Sequence, residues 1–251
     1  MSSVSGNTPE EIKFRKVYNM LTNSVDFKNI FVDLFGVSPL FNVKFEITDV
    51  PQTINNGHID GICYMYKYPN NLSPFNIIQI DRSHLLTKST AKIALTILHE
   101  CIHAYLNVKF LNPSFGMNIE TINNMDFQTC VNTYYNGFSG NQTQHSFFVD
   151  NMIPKMATIL NQIKNLLFTQ EQILSVENPE PNSVIYGVTN TNPSVKNYSI
   201  ILPWNWSDYF SHFSYNGLEN CSSYSSIYPA GSPNSLNYLQ YISIGIFRLN
   251  Q

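Results

Sequence analysis

The chain has 251 residues and a formal charge of −3, with 12 % charged and 14 % aromatic residues. It lacks any long basic block, which removes the electrostatic case for nucleic acid or an anionic membrane as partner. Nowhere does an apolar run reach the roughly 18 residues of a membrane span, and Met1–Asn7 is polar, so a cytoplasmic protein is expected, a non-Sec export route being compatible with this.

Thr8-Pro9-Glu10-Glu11 predicts a helix start: Thr as N-cap, Pro at the first helical position and Glu three residues after the cap. Ile12, Val17, Tyr18 and Leu21 then supply an apolar stripe to about Thr22. A second short helix is expected from Val25 to Phe35, stopped by Gly36. Strands are expected at 41–47, at 61–68 and at 75–81, separated by turn-rich Pro/Asn/Gly segments. A long apolar helix follows from about Ser89 to Val108. Residues 109–141 read mostly as loop. A second long helical pattern runs from Gln142 to about Leu167, with Pro154 expected to kink or break it. Beyond Asn178, strand-like Ser199–Leu202 and Tyr241–Phe247 flank a short helix near Trp206–Phe213. Residues 1–175 are expected as the core and 176–251 as an extension packing on it.

The chemistry lies in the apolar helix, which contains His99-Glu100-Cys101-Ile102-His103. Two histidines four apart on a helix project from one face, so both imidazoles can reach one tetrahedral Zn²⁺. Glu100 can stand beside the open coordination site and act as general base toward water. A helix this apolar seldom tolerates three ionisable residues in five positions unless something satisfies them. The four cysteines, Cys63, Cys101, Cys130 and Cys221, form no CxxC pair, which argues against a zinc ribbon or a redox dithiol. Cys101 reads as a small buried thiol.

A catalytic zinc needs a third protein ligand. Leu106 and Lys109 stand where the extended metzincin pattern demands Gly and His, so that branch is excluded. His145, at the start of the second long helix, is the leading candidate, with Glu120, Asp126 and His212 as alternatives; a helix-start or surface histidine is the plainer reading of His145. His58 and His84 read as surface residues. Tyr209, His212 and Tyr215 are candidates for stabilising an oxyanion. The order helix, strands, motif helix, loop, helix is the layout zinc peptidases use, and 75–81 is the natural candidate for the sheet edge that binds an extended peptide, an ordinary core strand being the equal alternative.

The segments NIIQIDRSHLL, TILHECIHAYL and QHSFFVDNMI together resemble the SprT-like zinc metallopeptidases, in particular small bacterial members without a nucleic-acid module. FSHFSYNGLENCSSY resembles an aromatic Gly-Leu stretch near the end of such members. The resemblance implies an α+β, zincin-like fold: a small mixed sheet on the motif helix, and a following helix that carries the third ligand. It implies one Zn²⁺ per chain on His99, His103 and His145, with Glu100 as the catalytic base and a peptide or protein as substrate. The spacing to the third histidine is longer than usual in the family. The alternative is a zincin-like module that binds a protein partner without turnover.

Overall fold

The computed structural model describes residues 4–32, 35, 42–50, 59–66, 75–110, 152–178, 184–189, 192–199, 204–216 and 222–249. The chain divides into two compact units, Met1–Asp150 and Asn151–Gln251. Residues 151–175, expected in the core with 1–150, belong to the second unit. Both helices and strands are present, and among the described residues the helices predominate.

In the first unit, helix α1 (Pro9–Leu21) begins with the capping box its sequence announces. The Thr8 N–H donates to Glu11 Oε2 at 2.9 Å, and the Glu11 N–H donates to Thr8 Oγ1 at 3.4 Å. The next segment is α-helical over Val25–Phe27 and widens into a π-helical stretch, Lys28–Val32; of the remaining residues expected in this helix, Phe35 is described, and it is helical. Phe14, Tyr18, Phe27 and Phe31 from these elements are buried, and Phe14 and Tyr18 pack against Phe45, with ring centroids 5.2 and 5.4 Å apart.

Strands β1 (Val43–Thr48), β2 (Gly61–Tyr66) and β3 (Phe75–Asp81) form one sheet in the order β1-β3-β2. β1 runs parallel to β3, with Phe45 opposite Ile78, and β2 runs antiparallel to it, with Cys63 opposite Ile78. β3 is therefore the central strand, the second of the two readings open for 75–81, and not the sheet edge. Asn76, Ile77, Ile78 and Ile80 are all buried, in keeping with a strand covered on both faces. Among the described residues the edge strands are β1 and β2.

At the end of β3, Asp81 caps a short helix the sequence reading missed, α2 (Arg82–Thr87), by accepting from the His84 N–H at 3.1 Å. Its other carboxylate oxygen accepts from the Val50 N–H, also at 3.1 Å, and so ties in the segment after β1. The motif helix α3 (Thr90–Phe110) then starts where Ser89 Oγ accepts from the Lys92 N–H at 3.1 Å. Ile93, Ala94, Leu95, Ile97, Leu98, Ile102, Ala104 and Leu106 are all buried, so this helix is enclosed on nearly every side.

In the second unit, helix α4 (Ile153–Gln162) has Pro154 in its first turn, where a missing N–H costs nothing. The proline stands at the start of this α-helix; Gln142–Asn151, the first part of the longer helix expected here, lies outside the described residues. Helices α5 (Lys164–Leu167) and α6 (Gln170–Glu177) follow, then an antiparallel pair, β4 (Val184–Thr189) and β5 (Asn192–Ser199). Helix α7 (Trp206–Ser214) matches its expected span. After α8 (Ser222–Ile227), residues 233–248 form helix α9, which corrects the strand expected at 241–247. Ser232 caps it and Pro233 opens it, and Tyr238, Tyr241, Ile244 and Gly245 bury one helical face. Within Tyr241–Phe247 two of the apolar residues that make the segment look like a strand, Ile246 and Phe247, lie exposed.

Among the described residues, no helix is long and apolar enough to cross a membrane.

Candidate metal centre

Thr96, Glu100, His103 and Asn107 recur at i, i+4, i+7 and i+11 along α3 and so share one stripe of an otherwise apolar helix. Each end of the stripe is tied to neighbouring elements by polar contacts. At the N-terminal end Thr96 Oγ1 lies 3.1 Å from His84 Nε2. At the C-terminal end the Asn107 amide donates to Asn76 Oδ1 at 3.0 Å, while the Asn76 amide donates to the Ala104 carbonyl at 3.5 Å.

Between these ties stand His99, Glu100 and His103. One donor atom from each lies within 4.8 Å of the others, and the group could hold a metal ion. The two imidazole rings are 5.1 Å apart between centroids and inclined by 56°. Glu100 is buried, and among the described residues its Oε2 has no hydrogen-bond partner. An orphaned carboxylate oxygen in a protein interior costs on the order of 1–3 kcal/mol or more, so its retention fits a centre completed by a cation and its solvent.

The electrostatics agree with that reading. Burial holds His99 down to about 4, reinforced by the charge of Lys92 and opposed by that of Asp60. Burial and then neighbouring His99 hold His103 well below its ordinary value. Both imidazoles are thus neutral near pH 7, the form in which they bind metals. Burial, followed by the charge of Asp60, pushes Glu100 up to about 8. A bound dication beside Glu100 would reverse that shift, because an adjacent positive charge favours the carboxylate.

β2 covers this face of the helix. At its first residue, Gly61, a β-carbon would stand 3.0 Å from Glu100 Cγ and 3.2 Å from Thr96 Cγ2. Only glycine lets the strand come so near.

His84, read from the sequence as a surface residue, is wholly buried. It was misjudged because Asp81 turns the chain into a helix there and carries the imidazole inward, between the start of β2 and α3. The sequence signal was an Asp-x-x-His step after an apolar strand, a cap pattern. Cys101 is buried, as expected, and burial pushes its thiol far up.

His145, Glu120, Asp126 and His58 lie outside the described residues. His212 belongs to the second unit, where its Nδ1 lies 2.9 Å from the Tyr228 hydroxyl and the rings of Tyr228, Tyr238 and Tyr241 surround it. Tyr209 and Tyr215 are buried in the same unit, Tyr209 against Trp204, Trp206 and Phe213. No family model matches the chain, and neither does any curated protein or solved structure.

Proposed function

We propose that the chain is a zinc-dependent peptidase of zincin-like fold, related to the SprT-like metallopeptidases. The observation that carries the reading is the juxtaposition of two neutral imidazoles with a buried carboxylate whose Oε2 has no partner among the described residues. A purely structural zinc site has no use for that third group, whereas hydrolysis requires a base at that position.

His99 and His103 would hold the ion, with His145 as third ligand from the segment Gln142–Ile153. Zinc, when bound, polarises a peptide carbonyl and makes a water molecule a competent nucleophile near neutral pH. Glu100 takes the proton from that water as its oxygen bonds to the carbonyl carbon. The same carboxyl then delivers the proton to the departing amine as the C–N bond breaks. The enclosure of Glu100 by α3 and β2 keeps bulk water from competing for that proton. β2, antiparallel to β3 and lying over the motif, takes the place of β3 as the edge along which an extended peptide would run.

The test is Glu100→Gln, nearly isosteric with the native residue. It should retain zinc while hydrolysis of an unstructured polypeptide falls by about 10²–10⁴-fold. Equal cleavage by both proteins would remove Glu100 from the role of base. A wild type that holds zinc and cleaves nothing in a diverse peptide library would place the chain among binding modules.

A further inference from the structure

We propose that His84 is a positioning residue for Glu100, clamping the start of β2 against α3 by joining Asp60 to Thr96. The proposal rests on the peptidase reading for its functional consequence, but not for its geometry.

His84 has no exposed surface, and both ring nitrogens face polar groups. Nε2 is 3.1 Å from Thr96 Oγ1, and Nδ1 is 2.8 Å from Asp60 Oδ1. The second contact is an ion-pair separation whose alignment falls short of a hydrogen bond. An apolar residue would fill this position without the cost of burying an imidazole, so packing alone does not account for the histidine. What it adds is direction. Asp60 immediately precedes Gly61, and its carbonyl accepts from the Asp81 N–H at 3.0 Å. Thr96 lies one helical turn before Glu100. The clamp therefore acts on both sides of the narrow gap in which Gly61 meets Glu100 Cγ.

The Asp60 carboxylate is also close enough for its charge to act on both His99 and Glu100. Held by His84, that charge keeps one place relative to the motif. A side chain with one bond fewer would leave the strand end and the charge free to shift, and an error of about 1 Å at a reacting group can cost up to about a hundredfold in rate.

The experiment uses the full chain, with Thr96→Val, which keeps the shape of the side chain and deletes its hydroxyl, Thr96→Ser, which restores the hydroxyl, and His84→Gln. The direct readout is the nuclear Overhauser cross-peak between Gly61 Hα and Glu100 Hγ. It should be lost or strongly weakened in Thr96→Val and His84→Gln and return in Thr96→Ser. Zinc content and KM should hold while kcat drops about tenfold in Thr96→Val, with no further drop when Glu100 is already Gln. A cross-peak unchanged in folded Thr96→Val overturns the clamp. A lost cross-peak accompanied by wild-type kcat, or a loss of rate that persists undiminished in the Glu100→Gln background, overturns the positioning of Glu100 for catalysis. If wild type neither holds zinc nor cleaves, the peptidase reading fails, while the cross-peak still decides whether His84 sets the Gly61–Glu100 gap.

Discussion

Gly61 stands so close to Glu100 that a methyl group there would meet Glu100 Cγ at 3.0 Å, tighter than an ordinary van der Waals contact. The third neighbour of the missing β-carbon is the Gln79 carbonyl at 3.3 Å, a backbone atom of the central strand. Gly61→Ala must therefore push either the Glu100 side chain or the β2–β3 pairing. We expect a loss of about 1–3 kcal/mol in urea unfolding. The turnover number should fall while zinc content stays at the wild-type level. An alanine variant as stable and as active as wild type would mean that β2 stands further from α3.

His99→Ala and His103→Ala should each lose zinc on dialysis, read by elemental analysis against a wild type that holds about one ion per chain. His145→Ala should lose it as severely, because a two-ligand half-site binds weakly. Glu120→Ala, Asp126→Ala and His212→Ala should keep the ion. Retention in His145→Ala together with loss in Glu120→Ala would make the site His₂Glu and set aside the SprT-like relationship.

The zinc-stripped protein should be most stable near pH 6.5. His99, held at about 4, and His103, held well below its ordinary value, stay neutral when folded but become protonated when unfolded below 6.5. Stability is therefore lost as pH falls through that range. Glu100, at about 8, keeps its proton when folded, whereas the unfolded residue gives it up above 4.5. Its effect is opposite: stability is lost as pH rises toward 8. Between 4.5 and 6.5 the two histidines outweigh the one glutamate, and above 6.5 the glutamate acts alone. The decline from 6.5 to 8 should amount to about 2 kcal/mol in urea midpoints and vanish in Glu100→Gln. A flat wild-type profile over that interval would contradict a protonated, buried Glu100.

Asn76→Leu should destabilise the first unit by about 1–3 kcal/mol, measured by urea unfolding. The substitution takes from the buried Asn107 amide its Asn76 acceptor and leaves it the weaker Cys63 Sγ at 3.7 Å. Changing both residues to leucine should cost less than the sum of the single changes, because neither amide then faces a missing amide partner. Strict additivity would show that the two side chains do not act together.

The sequence made the first unit legible wherever a local rule acts alone. Thr8 and Glu11 announce the start of α1, and the apolar density of 93–106 announces a buried helix carrying a polar motif. His99, Glu100 and His103 were readable because helical periodicity by itself brings them together. What escaped was decided by contacts distant in sequence. Nothing local tells that β3 lies between β1 and β2, since a strand's place in a sheet depends on its partners. His84 looked like a surface residue because its partners, Asp60 and Thr96, lie 24 positions before and 12 positions after it. Tyr241–Phe247 read as a strand because aromatic and β-branched residues favour strands, and burial against Trp204 and His212 selected the helix.

The order β1-β3-β2 also carries a folding consequence. β2 and β3 are antiparallel and near in sequence, so their pairing closes a short loop and can form early. β1 can join only in parallel, on the far side of β3, and has no route to its partner until β3 is in place. Asp81, at the end of β3, fixes the segment after β1 through the Val50 N–H and starts the turn toward the motif helix through the His84 N–H. One carboxylate thus links completion of the sheet to the approach of α3. The chemistry-bearing helix takes its floor from β2 and β3, the pair that can form first, and β1 completes the sheet on the far side.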